Sequence, residues 1–167
     1  MKTNRLLLFI PLLFFILYDL SAQETAYFED LGKEVELARE LYRQGKYNAA
    51  FRQFEKIEGQ TDSKSEINSE AAYYMAVSAL KAGHSSGYKM VDRFIENHPE
   101  SPYMNRAWLS LGSYQFGRKL FGAVIRSYQN VDRSALDENE RIEVRYQNGY
   151  SNLMLENEDE ALREFDA

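Results

Sequence analysis

The sequence predicts an all-α protein, a stacked array of about four helical hairpins, and two observations predict it. A small residue or valine recurs every 37 residues, at Ala50, Gly87, Val124 and Ala161, and four residues after each comes a large apolar one: Phe54, Val91, Tyr128 and Phe165. A second small-residue series, Ala38, Ala76, Gly112 and Gly149, steps by 38, 36 and 37, so each unit holds two recurring elements. Self-similarity at a period of roughly 20–50 residues is the signature of stacked repeats, which mostly present surfaces to partners rather than enclose a reaction centre.

The chain of 167 residues begins with Lys2 and Arg5, an apolar run from Leu6 to Tyr18 containing Pro11, and Leu20-Ser21-Ala22 before Gln23. A positive start, a short apolar stretch and small residues before a cut describe a secretory signal peptide over residues 1–22. The run falls short of the roughly 20 apolar residues that a membrane span needs. Its alternative reading is an uncleaved signal anchor. Residues 23–30 form a polar lead-in, and residues 31–167 are the repeat domain.

In the first unit, about 31–64, the apolar positions Leu31, Val35, Leu37, Ala38, Leu41 and Tyr42 fall at helical spacing. Gly45 suits the left-handed turn that ends a helix, and Tyr47, Ala50, Phe51, Phe54 and Ile57 give the return helix. The second unit, about 69–99, pairs a helix over Ala71 to Ala82 with one over Gly87 to Glu96, and Ser63 with Glu66 reads as a capping box ahead of it. The third, about 103–134, starts after Ser101-Pro102, an N-cap residue followed by proline at the first helical position. The fourth, about 137–167, ends inside its return helix with no terminal cap. That ending carries the expectation that the natural product continues, or that this end frays or self-associates with another chain, because solenoids normally finish in a capping element.

These residues resemble the tetratricopeptide repeat. Trp108, Leu111 and Gly112 have the W-x2-L-G spacing, Gly45-Lys46-Tyr47 with Ala50 and Phe54 has the spacing of the return helix, and Pro99 closes the second unit where that family often has proline. The usual unit is about 34 residues, the tyrosine expected at Gln115 is displaced to Tyr114, and Gly87 and Val124 replace alanine. Phe94 to Ser101, with its F-x4-P-x-S arrangement, is similar to periplasmic repeat proteins of the outer-membrane assembly lipoprotein and Tol-Pal coordinator types, and a signal ending Ser-Ala-Gln looks like those of Bacteroidota. The resemblance implies a right-handed α-α superhelix, exported to the periplasm or cell envelope of a Gram-negative bacterium, working as a protein–protein interaction scaffold.

It also implies that first helices line an inner face. On that face would lie Arg39, Tyr42 and Arg43; Tyr73, Val77 and Leu80; Arg106, Leu109, Ser113 and Phe116; and Glu143, Tyr146, Tyr150 and Leu153. Aromatics with arginines are the residues of protein-binding hot spots, so a partner helix or extended peptide in this groove is the leading reading. Packing on the next hairpin is the structural alternative for each of them. A spacer or oligomerisation segment of a larger envelope protein, and a carbohydrate or peptidoglycan module using the tyrosines, are the rival functions.

Other chemistry is sparse. With no cysteine there is no disulfide framework, no cysteine nucleophile and no lipid-modified residue after the signal. The net charge of −6 becomes −7 when Lys2, Arg5 and Asp19 leave with the signal, which disfavours nucleic acid and anionic lipid; no stable membrane insertion is expected after cleavage. His84 and His98 lack companions at metal-ligand spacing and read as solvent-facing turn residues. Ser78-Ala-Leu-Lys81 matches S-x-x-K without its S-D-N and K-T-G companions. The acidic clusters Asp137–Glu140 and Glu156–Glu160 lack calcium-loop spacing and suit helix starts. No enzyme activity, cofactor or metal is expected.

Overall fold

The computed structural model describes residues 30–166; the expected signal peptide and most of the lead-in lie outside the described residues. Those described are helical, with no strand among them: α1 (30–43), α2 (Tyr47–Gln60), α3 (Glu66–Lys81), α4 (Gly87–Asn97), α5 (Met104–Gly117), α6 (Phe121–Tyr128), a 3-10 turn at Arg133–Ala135, α7 (Glu138–Met154) and α8 (Glu158–Phe165). Each helix packs on the next, and α5 also touches α3 and α7. No helix among the described residues is long and apolar enough to cross a membrane.

Within each pair the turn is the same. Gly45, Gly83, Lys119 and Glu156 take positive φ, 72°, 78°, 58° and 63°, and each lies seven residues after one member of the Ala38, Ala76, Gly112, Gly149 series. The next residue donates its N–H five residues back, as Lys46 to Leu41, His84 to Ala79, Leu120 to Gln115 and Asn157 to Asn152, at 2.9–3.0 Å. The left-handed residue itself bonds three back. This double closure is the Schellman ending, which satisfies carbonyls the helix leaves unpaired. Glycine adopts that conformation without steric cost; lysine and glutamate do not.

The small-residue series brings the paired helices together. Ala38 and Ala50 are fully buried, as are Phe54, Val91 and Val124, with Tyr128 nearly so. A Cβ on Gly87 would stand 2.7 Å from the Leu80 Cα, so α3 and α4 touch backbone to backbone there. At Gly112 it would overlap the Tyr128 ring, and at Gly149 it would meet the Phe165 ring at 2.7 Å. Phe165 differs from its three counterparts, since half of it remains exposed.

The core forms three clusters, one centred on Phe54 and Ile57, one on Val77, Val91 and Phe94, and one on Val124, Tyr128 and Val144. Tyr42 and Tyr74 pack against both the first and second clusters, and Trp108 against both the second and third. Phe54 stacks on Tyr74 at 5.0 Å, carrying the first pair's packing into the second.

Helix starts depart from expectation in three places. Asp30, read as lead-in, already belongs to α1. α3 begins five residues before Ala71, capped by Ser65, whose Oγ accepts from the Asn68 N–H at 3.1 Å, and not by Ser63. α5 begins at Met104, not Pro102, because the Ser101 hydroxyl accepts from Ser69 of α3 at 2.7 Å and from the Tyr103 N–H at 3.2 Å, holding 101–103 as a turn. Asp137 and Glu140 form a reciprocal capping box on α7. His84, in the α3–α4 turn, bonds Asn48 of α2 at 2.8 Å at the surface and meets the Phe51 ring edge-on.

At the far end, Arg133 grips Glu164 with two bonds of 2.7 Å, and Asn148 adds a third of 2.7 Å. Burial opposes ionisation of Glu164, but these donors outweigh it and hold its carboxyl below the usual carboxylate range. A depressed carboxylate contributes stability above its unfolded pKa of about 4.3 and loses it as pH falls through the lower folded value. Thermal melts of the wild type should therefore lose more stability between pH 6 and pH 3 than those of Glu164→Gln. In urea unfolding, Lys119→Gly or Glu156→Gly should gain about 0.5–1 kcal/mol by relieving the left-handed turn. Gly87→Ala should cost about 1–3 kcal/mol, because helix backbone must move, whereas Gly149→Ala should stay within about 1 kcal/mol of zero, because the half-exposed Phe165 ring can yield.

Candidate functional site

Helical periodicity places one face of α1, α3, α5 and α7 around a single cleft of about 490 Å³. Tyr42 comes from the end of α1. Tyr73, Val77 and Leu80 descend α3 at i, i+4 and i+7; Arg106, Leu109, Ser110 and Ser113 descend α5 in the same way, and Glu140 and Glu143 close the side on α7. Lys81 and Tyr114 complete the lining.

The floor is apolar and fixed. Val77 is fully buried, and Tyr73 nearly so, its ring stacked 4.9 Å from Tyr103. Burial pushes the Tyr42 phenol up to about 12, with Tyr47 and Tyr74 adding to it, so at neutral pH it is an uncharged hydroxyl. Burial likewise raises Tyr73.

The polar rim has two ends. On α7, Glu140 performs two tasks: it caps the helix with Asp137 and pairs with Arg106. Ser113 contacts Glu143 at 3.3 Å, and Gln147 donates to the same carboxylate at 2.7 Å. At the opposite end the Lys81 ammonium lies over the Tyr42 and Tyr47 rings, 5.9 and 5.5 Å from their centroids, and pairs with no carboxylate among the described residues. A cation over aromatic faces is attracted by the ring quadrupole yet keeps its charge available.

Of the residues expected on one inner face, Tyr42, Tyr73, Val77, Leu80, Arg106 and Leu109 meet in this cleft, together with Ser113 and Glu143. Tyr73 and Val77 supply its floor rather than free side chains. Phe116, Tyr146 and Tyr150 gather elsewhere, in a ring cluster with Phe121. Arg39 is held by Glu70, with bonds of 2.5 and 2.6 Å, and by Glu36; its guanidinium pKa is raised chiefly by the Glu70 hydrogen bonds. Arg43 pairs with Glu40 at 2.9 Å. Lys81 was legible as the next turn after Val77 on the same face, whereas Tyr114 depends on α4, whose Tyr88 stacks against it at 6.1 Å.

Ser110 donates to the Arg106 carbonyl at 2.8 Å, and Ser78 of the S-x-x-K match is fully buried. No group of three or more metal-ligating side chains occurs among the described residues. The geometry provides an apolar floor, tyrosine and serine hydroxyls, one open cation and a carboxylate edge.

The Glu70 side chain is only 10% exposed and Arg39 33%, so the pair lies at the edge of burial between α1 and α3. Removing one partner strands a desolvated charge, while removing both leaves an apolar contact. Arg39→Met should cost about 2 kcal/mol in urea unfolding, and Arg39→Met with Glu70→Met should recover most of it. No family model matches the chain, and no curated protein sequence is significantly similar to it; function is therefore argued from the geometry.

Proposed function

We propose that this chain is an exported helical-repeat scaffold, a right-handed α-α superhelix of four tetratricopeptide-like hairpins, that binds a partner protein in the cell envelope of a Gram-negative bacterium without catalysing a reaction. One observation supports this reading above the others: the same face of the first helix in every pair contributes to one cleft. A surface assembled from four equivalent helices is preformed by the packing beneath it, so a ligand meets little ordering cost in the scaffold.

The cleft sharpens the class of partner. Its volume of about 490 Å³ lies in the range of pockets that enclose a few side chains, which suits an extended segment inserting apolar residues over Leu80 and Leu109 better than a whole helix. Lys81 would orient such a segment through an acidic group, and the carboxylate edge of Glu143 would take a donor.

Capture from an envelope extract tests the reading. A protein retained by the wild type should be lost on Leu109→Glu and weakened about tenfold on Lys81→Glu, with both variants keeping wild-type helical circular dichroism. Capture unchanged by both substitutions would rule the cleft out as the binding surface.

A further inference from the structure

A second surface lies on the last two helical pairs, outside the cleft. Phe116 at the end of α5 is 6.1 Å from Tyr146 and 5.7 Å from Tyr150 of α7, and Phe121 at the start of α6 is 5.9 Å from Tyr150. Leu153 continues the Tyr146–Tyr150 face one turn further along α7. Unlike the core, this ledge is open: Leu120, Tyr146 and Leu153 are each about half exposed. Contiguous apolar surface rimmed by charge marks an interaction site.

The rim has a definite polarity. The ring contacts set the end of α5 against the final turns of α7, so the α5–α6 and α7–α8 turns lie at the same end of the molecule. The first of these turns carries Arg118 and Lys119, and the second carries Glu156, with Glu158 and Asp159 at the start of α8. All five are exposed, and none forms an ion pair among the described residues. The basic turn therefore stands over the end of α5 and the acidic turn over the end of α7, side by side at one end of the apolar ledge.

That arrangement is its own complement. Rotation by 180° about an axis lying in the ledge and running along α5 and α7 lays apolar surface on apolar surface and sets each basic turn against the other copy's acidic turn. We propose that the occupant of this ledge is a second copy of the chain, forming a two-fold symmetric dimer centred on Tyr146, Tyr150 and Leu153, with Arg118 and Lys119 of each copy facing Glu156, Glu158 and Asp159 of the other. An isologous contact needs a self-complementary patch, and this one has it in both polarity and charge. An anionic membrane would meet the aromatic ledge and its basic turn but would be repelled by the acidic turn and by the net charge of −6. Phe116 lies one turn beyond Ser113 and Tyr146 one turn beyond Glu143, so the ledge adjoins the cleft, but the dimer is argued from the ledge alone and does not rest on the binding function proposed above.

Sedimentation equilibrium on the chain from Gln23 onward, which contains every described helix, tests this. The wild type should dimerise in the micromolar range, more weakly at 500 mM than at 50 mM salt. Arg118→Glu with Lys119→Glu should weaken the dimer about tenfold or more, as should Glu156→Lys with Glu158→Lys. Combining all four changes inverts both ends of the rim and should restore association, an outcome that only a self-paired surface gives. Tyr146→Ala should abolish the dimer without lowering the melting temperature of the monomer. A wild type that stays monomeric to several hundred micromolar would overturn the proposal, as would a dimer indifferent to both charge reversals, or binding to phosphatidylglycerol vesicles by a protein that does not self-associate.

Discussion

The close approach of paired helices at their small residues is the constraint from which the rest of this structure follows. Where Gly87 lies against the Leu80 backbone, no side chain separates α3 from α4, and the large residue four positions on is driven inward as Val91. The same step recurs with Ala50 and Phe54, and with Val124 and Tyr128. Each pair is then a thin unit whose first helix retains an unoccupied face. Thick pairs with large residues at those positions would splay, and the faces of α1, α3, α5 and α7 would no longer converge on one cleft.

Joining the units is a different problem, and aromatics solve it. Tyr42, Tyr74 and Trp108 each belong to two clusters, so no pair is an independent body. Tyr42 also lines the cleft and supports Lys81, and Tyr128 contributes its hydroxyl to Gln147 of α7, which in turn holds Glu143 at the cleft edge. Cleft and scaffold therefore share residues: the cleft walls stand where they do because packing fixes them. The Glu140 carboxylate makes the same point locally, since the cap that starts α7 also places the partner of Arg106.

Much of this was legible from spacing alone. The 37-residue step located the small and large residues, and Gly45 announced its turn. Equivalent turns at Lys119 and Glu156 were not announced, because their left-handed geometry is imposed by the flanking helices on residues that do not favour it. The starts of α3 and α5 escaped notice for a related reason: Ser65 and Ser101 act through specific partners, the Asn68 N–H and the Ser69 hydroxyl, that composition does not reveal. At the site, the resemblance to tetratricopeptide repeats pointed to the face but not to its division. It grouped Tyr42, Leu80 and Leu109 with Phe116, Tyr146 and Tyr150, whereas the fold separates a walled cleft from an open aromatic ledge.

The central claim, that the shared face of the first helices is the working surface, is tested most directly by site-specific photo-crosslinking in cells that express the chain. A crosslinking amino acid at Leu109, in the cleft, should yield a discrete adduct with a partner protein, while the same group at Arg93, on the exposed side of α4, should yield none. Adducts formed from Arg93 and not from Leu109 would contradict the account.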